Sequence, residues 1–277
     1  FEAYLVGGCV RDLLQDKKPK DWDVTTNATP EQILPLFEHA FYENDFGTVG
    51  IVNEGVGDKT LEVVEVTTYR LEAEYLKSRH PSSVTFSHVL EDDLKRRDFT
   101  VNAIALNISQ KKVVDPFNGQ IDINNKTLRA VGNPHERFHE DALRILRAVR
   151  FMAELHFNIE EHTKAAISKA ADSLKNIAKE RIRDEFLRIL ASDNPMNALV
   201  AAHELGVLKY ISPKFEEGIG IDQNQAHKYD VWEHNLRSLQ HAVDKKWGAT
   251  IRLAALFHDI GKPKARRWSE EKKDWTF

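Results

Sequence analysis

The stretch at residues 4–23, YLVGGCVRDLLQDKKPKDWD, limits what this chain can fold into more than any other. Tyr4, Leu5 and Val6 make an apolar, strand-like run, and Gly7-Gly8 permits a tight turn with positive φ. Residues 9–15 follow with helical spacing of Val10, Leu13 and Leu14. A glycine turn that opens a helix leaves backbone N–H groups free at the helix start, a ready phosphate site. Arg11 is expected in the first turn, where a cation opposes the helix dipole and suits a bound anion. Asp21 and Asp23 then precede Val24-Thr25-Thr26, a β-favouring run. Residues two apart on a strand face one way, so both carboxylates should project together with Trp22 buried behind them. Paired carboxylates repel, and a divalent cation relieves that repulsion. Mg²⁺ takes oxygen ligands and leaves room for substrate phosphates. Taken alone, a solvated D-x-D on a surface strand remains the alternative.

The string LVGGCVRD…DWDVTTNATPEQ resembles the nucleotidyltransferases of the DNA polymerase β superfamily. More narrowly, it is similar to the class II tRNA nucleotidyltransferases (CCA-adding enzymes) and the bacterial poly(A) polymerases. The resemblance runs over about residues 3–190. It implies a template-independent enzyme that adds CMP and AMP from CTP and ATP to the 3′ end of tRNA. Asp21 and Asp23 would then hold Mg²⁺, with Gly7, Gly8 and Arg11 at the nucleotide.

Composition is compatible with that reading and narrows it. The 277 residues suffice for two or more domains, with 42% hydrophobic and 30% charged residues, as in a globular protein. No apolar run is long enough to span a membrane, no signal peptide is evident, and the single Cys9 fits a reducing cytoplasm. The net charge of −4 is not the bulk signature of a nucleic-acid binder, so RNA contacts must come from local basic surface. The chain opens on Phe1 rather than Met and stops at Phe277, as expected of a trimmed fragment.

Further along, residues 30–39 read as a short helix behind the cap Asn27-Ala28-Thr29. Residues 46–52 and 61–68 read as strands. On the second strand Glu65 shares a face with Leu61 and Val63, and a carboxylate on an apolar face needs a reason. The superfamily supplies a third acidic group from such a strand; Glu65 matches, with Glu62 the competitor. Residues 71–88 look like a mobile loop. The family's Asp-Gly-Arg-Arg-Pro-like stretch is replaced there by Lys77-Ser78-Arg79-His80-Pro81. Next, Arg96-Arg97-Asp98 brings cations and an acceptor together at the start of a helix-like run. By resemblance Arg97 contacts the nucleotide and Asp98 the ribose hydroxyl. Residues 112–114 are expected to complete the sheet, and residues 115–119 to form a turn closing the head.

Residues 138–152, FHEDALRILRAVRFM, form a strongly amphipathic pattern. Asp141, Arg144 and Arg147 recur every three residues and should line one cleft, with Arg150 further round. A salt-bridged helix surface is the alternative. The segment matches the family's E-D-x-x-R motif at Glu140, Asp141 and Arg144. Cytosine and adenine each present an amino donor beside a ring-nitrogen acceptor. Asp141 would accept from the amino group and Arg144 donate to the ring nitrogen, while Arg147 and Arg150 hold phosphates. Uracil and guanine would leave Asp141 facing an unpaired acceptor, at about 1–3 kcal/mol.

Residues 178–190 resemble the family's neck helix, with Lys179, Arg181 and Arg183 near RNA or simply solvated, and residues 195–211 form another helical stretch. From His227 the pattern changes. His234, in VWEHNLRSL, and His258-Asp259, in LAALFHDIGKP, resemble an HD domain, a metal-dependent phosphohydrolase fold; metal binding and plain helix packing both remain open. The expected fold class is α+β: a small mixed-sheet, polymerase-β-like head (1–120), a helical neck that reads the base (121–190), a helical body (191–225) and a partial HD-like segment (226–277). The rival functions are an A-adding enzyme or poly(A) polymerase, and an HD-type phosphohydrolase whose head binds RNA.

Overall fold

The computed structural model describes residues 1–277 except 45–46, 73–74, 77–79, 82–83 and 225–226. The chain divides into two compact units, Phe1–Glu140 and Asp141–Phe277.

In the first unit the elements run β1 (Ala3–Val6), α1 (Gly8–Leu13), β2 (Asp23–Thr26), α2 (Pro30–Ile33), β3 (Ala40–Asn44), β4 (Thr48–Val52) and β5 (Val63–Thr68). The short strands β6 (Arg70–Glu72), β7 (Tyr75–Leu76), β8 (His80–Pro81) and β9 (Val84–Phe86) come next. They are followed by α3 (Leu90–Lys95), β10 (Ala105–Asn107), β11 (Lys112–Val114), α4 (Gly119–Asn124) and α5 (Pro134–Glu140). Seven strands build one mixed sheet in the order β11-β10-β1-β2-β5-β4-β3, with β2 and β5 parallel and the other neighbours antiparallel. The expected mixed-sheet head is therefore present. One face carries Val24, Val49, Ile51, Val64 and Val66, packed with Ala28 and with Ile33 of α2. The opposite face is covered at its β1–β10–β11 side, where Val6, Ala105 and Val114 pack with Tyr69 and with Leu90 and Leu94 of α3.

Several local expectations are corrected. Helix α2 stops at Ile33 and continues only as a 3₁₀ turn, Leu34–Leu36. Pro35 is the reason: it has no N–H for the helix ladder and its ring clashes with the preceding turn. Strand β5 begins at Val63, because Asp58 accepts from Thr60 N–H and winds Lys59–Leu61 into a turn that leaves Glu62 before the strand. Phe46, expected to open β4, and the segment 77–79 lie outside the described residues. Within the stretch read as a loop at 71–88, β6 pairs with β9 and β7 with β8.

The second unit is helical. It contains α6 (Leu143–Leu155), α7 (Glu161–Ala170), α8 (Lys179–Ala191), α9 (Pro195–Glu204), α10 (Leu208–Ile211), α11 (Pro213–Glu216), α12 (Val231–Asp244) and α13 (Ala249–Phe257). Its core joins Ile145, Leu146 and Val149 of α6 to Ile189 and Leu190 of α8 and Leu199 of α9, all essentially inaccessible. Phe215 lies 5.9 Å from Phe186, 6.0 Å from Trp232 and 5.2 Å from Phe257, ring centroid to centroid, and so ties α12 and α13 to the preceding helices. No described helix is long and apolar enough to cross a membrane.

Candidate active site

The turn between β1 and α1 needs glycine twice over. Gly7 has φ +81°, and a Cβ there would stand 3.0 Å from Arg97 Nη1 and 3.4 Å from Asp23 Oδ2. The turn, the guanidinium and the carboxylate thus meet at one point of the first unit. Arg97 is delivered by the end of α3, and its Nη2 donates to Asp93 Oδ2 at 3.1 Å. Asp93 also accepts twice from Arg96, at 2.8 and 2.6 Å. Burial pushes the Asp93 carboxyl up, but Arg96 and Arg97 together outweigh it and hold its pKa below the usual value. Asp93 therefore stays charged and fixes both arginines. Arg96 caps the C-terminus of α3, so the pair closes a helix rather than opening one, where cations suit the dipole. Arg97 Nε is buried without a hydrogen-bond partner among the described residues.

Strand register sets the carboxylates. Asp23 pairs with Glu65 across the parallel β2–β5 ladder, Glu65 with Gly50 of β4, and Gly50 with Phe41 of β3. The four form one row across the sheet, side by side at about 4.8 Å per strand. Asp21 lies in the bend just before β2 rather than on the strand, and Trp22 is half-buried, its Nε1 donating to Thr60 Oγ1 at 3.1 Å. Desolvation raises the Asp23 pKa, Arg97 lowers it, and Asp21 and Glu43 raise it again. Glu65 remains accessible, yet desolvation and then Asp23, Glu43 and Asp21 push it up to about 7. Asp21 and Asp23 each act to raise Glu65, and Asp21 acts to raise Asp23, so the three carboxylates lie near enough for their charges to oppose one another. Oxygen donors of like charge are the chemistry that suits a hard divalent cation. Glu62, the competing acidic group, lies before β5.

Arg11 and Asp98 converge on a residue that the sequence reading passed over. Arg11 sits in the last turn of the six-residue α1, not the first, so it complements the dipole instead of opposing it. Its guanidinium donates to Asp12 Oδ1 at 2.7 and 2.9 Å and to Asn102 Oδ1 at 2.8 Å. Asn102 Nδ2 in turn donates to Asp98 Oδ1 at 3.2 Å, which also accepts from Phe99 N–H at 2.8 Å. Asn102 therefore couples the glycine-turn arginine to the expected ribose acceptor.

The expected continuous helix at 138–152 is broken. Helix α5 ends at Glu140 and α6 begins at Leu143, and Asp141 in the break accepts from Leu143 N–H at 2.9 Å. An aspartate that caps the following turn competes with helix continuation. Asp141 thus precedes α6 and does not share a helical face with Arg144 and Arg147. Its Oδ2 accepts from Arg181 of α8 at 3.0 Å. Arg181 Nη1 has no partner among the described residues. Arg144 is buried and Arg147 half-buried, its guanidinium 5.2 Å from the Phe151 ring centroid. Arg150 departs from its expected phosphate role. It is buried, its Nε donates to Glu185 at 2.7 Å and its Nη1 to Glu154 at 3.2 Å, and it lies 4.3 Å over the Phe151 ring. Those contacts are structural.

Farther along, His234 and His258 face each other at 3.0 Å between Nε2 atoms, and each Nε2 lies 3.4 Å from Asp259 Oδ2. His258 Nδ1 lies 2.8 Å from the Ala255 carbonyl, which fixes its proton there and leaves Nε2 to accept or ligate. The three ligand atoms fall within 4.8 Å of one another, close enough to share an ion. Lys262 Nζ also touches Asp259 Oδ2, at 2.6 Å.

Residues 3–129 match the family model of the poly A polymerase head domain, and residues 156–219 that of a probable RNA and SrmB-binding site of polymerase A. The CCA-adding enzyme of Enterococcus faecalis is 45% identical over 222 residues, spanning 80% of this chain and 53% of the relative. That of Lactobacillus helveticus is 48% identical over 190 residues, 68% of this chain and 46% of the relative. The chain therefore spans about half the length of the curated relatives it matches. Its fold superposes on the crystal structure of the Bacillus stearothermophilus CCA-adding enzyme in complex with CTP with a TM-score of 0.72 and 32% identity, over 98% of this chain and 69% of that one. A tRNA nucleotidyltransferase solved with a primer tRNA and an incoming ATP analogue matches with a TM-score of 0.68 and 26% identity, over 98% of this chain and 79% of that one. With the glycine turn, the carboxylate row and a nucleotidyltransferase sheet all in place, the chain belongs to the family of CCA-adding tRNA nucleotidyltransferases and bacterial poly(A) polymerases.

Proposed function

We propose that this chain carries the nucleotidyl-transfer centre of an enzyme that adds CMP and AMP, from CTP and ATP, to the 3′ end of tRNA. The observation that carries the reading is the side-by-side pairing of Asp23 with Glu65, with Arg97 and the Gly7 turn at the same point. The acceptor's terminal 3′-oxygen attacks the α-phosphorus of the triphosphate. A new P–O bond forms, the bond from the α-phosphorus to the bridging oxygen breaks, and pyrophosphate leaves with that electron pair. Asp21, Asp23 and Glu65 would hold the divalent cation, which we take to be Mg²⁺; it would acidify the attacking hydroxyl and neutralise the leaving group. Arg97 and the backbone of the Gly7-Gly8 turn would hold the triphosphate. Asp98, oriented by Asn102, would accept from a ribose hydroxyl and so favour ribonucleotides.

Asp141 is poised for base choice. Arg181 donates to its Oδ2 and orients it, so it would present an acceptor to the amino group of C or A, with Arg144 as the donor. Arg147 would contact phosphate, and Arg150 braces the helix. The single buried Cys9 accords with a cytoplasmic enzyme. The test is tRNA lacking its tail, given labelled CTP alone and then ATP alone. Two C additions followed by one A support this reading; A incorporation without prior C would make the protein an A-adding enzyme or poly(A) polymerase.

A second reading rests on one observation, the clustered ligand atoms of His234, His258 and Asp259. Residues 226–277 would form part of an HD-like segment that holds a metal and hydrolyses phosphate esters. Phosphatase activity that survives substitution of Asp23 and disappears with His258→Ala would establish it as a separate centre.

A further inference from the structure

The row that pairs Asp23 with Glu65 continues to a residue with no place in the scheme above. Phe41 stands opposite Gly50, and a Cβ on Gly50 would lie 2.5 Å from Cζ, 2.7 Å from Cε1 and 3.0 Å from Cε2 of the Phe41 ring. The ring therefore rests on the bare backbone of β4, where the glycine makes room for it. It is still 45% exposed, a large aromatic surface left open on the carboxylate side of the sheet. On that side α3 packs over the Val6, Ala105 and Val114 end of the sheet and reaches β2.

In-line transfer fixes what belongs there. The leaving pyrophosphate and the attacking hydroxyl must approach the α-phosphorus from opposite sides. The Gly7 turn and Arg97 hold the β1 side of Asp23, so the triphosphate takes that side. The attacking hydroxyl must then arrive over β5 and β4. Gly50 lies two strands from Asp23, about 10 Å, which is the reach of a single nucleoside whose 3′-oxygen is at the carboxylates. Building on the proposed nucleotidyl transfer, we infer that Phe41, seated on Gly50, is the stacking platform for the terminal base of the acceptor RNA. A π-face accepts any base, which suits an acceptor whose last residue changes with each addition.

The experiment uses the full-length protein and tRNA acceptors carrying 2-aminopurine at the 3′ terminus. For Phe41→Ala we expect the KM for acceptor to rise about 5- to 100-fold, the KM for CTP and ATP to stay as in wild type, and the 2-aminopurine quench to be lost. Phe41→Trp should restore both. Gly50→Ala, which pushes the ring off its seat, should reproduce the Phe41→Ala phenotype with the ring still present. A Phe41→Ala protein with unchanged acceptor KM and undiminished quench overturns this inference alone. A wild-type protein that transfers no nucleotide overturns the nucleotidyl-transfer reading, and this inference with it.

Discussion

Glu65 in the first unit stands beside Asp23 and its pKa is pushed up to about 7 by burial and then by that neighbour, whereas Asp141 and Arg150 in the second unit each lie against an opposite charge. These two sets of ionisable groups behave in opposite ways. In the helical unit every one of these charges is settled within the fold, and its effect is to hold a turn or a helix in place. In the sheet the charges are left in conflict, and a conflict among oxygen donors is resolved by a cation from outside. In the proposed function, the like charges mark the chemistry and the matched charges the frame around the proposed base-reading groups.

The contrast can be broken most sharply at Asp23. Asp23→Asn removes an oxygen proposed to hold the cation and should reduce nucleotide incorporation about 10³-fold without loss of folding, measured by single-turnover addition of labelled CTP. A modest effect would mean that the crowded carboxylates are ornamental. The opposite unit should answer in stability. Glu185→Ala leaves the Arg150 guanidinium buried and unpaired on that side, and urea unfolding should register a loss of about 3–5 kcal/mol. If stability hardly changes, Arg150 is available for phosphate after all.

Asp141 sits between the two classes, since it is paired but also presents an acceptor. Asp141→Ala should raise misincorporation of UTP and GTP about 5- to 100-fold relative to CTP and ATP, read from parallel four-nucleotide assays. Continued exclusion of U and G would refute the pairing model. The smallest effect concerns Asp93. Its folded pKa is depressed, so between the folded value and the unfolded value of about 4 the unfolded chain binds more protons. Its contribution to stability is complete above about pH 4 and fades as pH falls through the folded pKa. Acid melts of Asp93→Asn should show a correspondingly shallower loss, and an unaltered acid slope would place Arg96 and Arg97 under other control.

Much of the first unit could be read from residue order, because strands and turns leave local marks. Gly7-Gly8 and the β-branched run around Glu65 survive in the structure, with Asp23 and Glu65 in direct register, whereas Asp21 lies in the bend before β2. The details that escaped were those decided by competition. Pro35 cut short a helix that the apolar spacing favoured. Asp141 was read as one step of a helical stripe, but its carboxylate caps the next turn and interrupts that stripe. Asp93 carried a readable signal, since it lies three and four residues before Arg96 and Arg97. Arg181 carried none: it reaches Asp141 from 40 positions away, and no local pattern encodes that contact. Phe41 was equally silent, because its meaning depends on which residue faces it across β4.

The most direct test is a crystal soaked with Mn²⁺ and CTP, examined for anomalous scattering. The account expects metal density bridging Asp21, Asp23 and the triphosphate, with Glu65 beside it. Bound nucleotide with no metal at those carboxylates would contradict it.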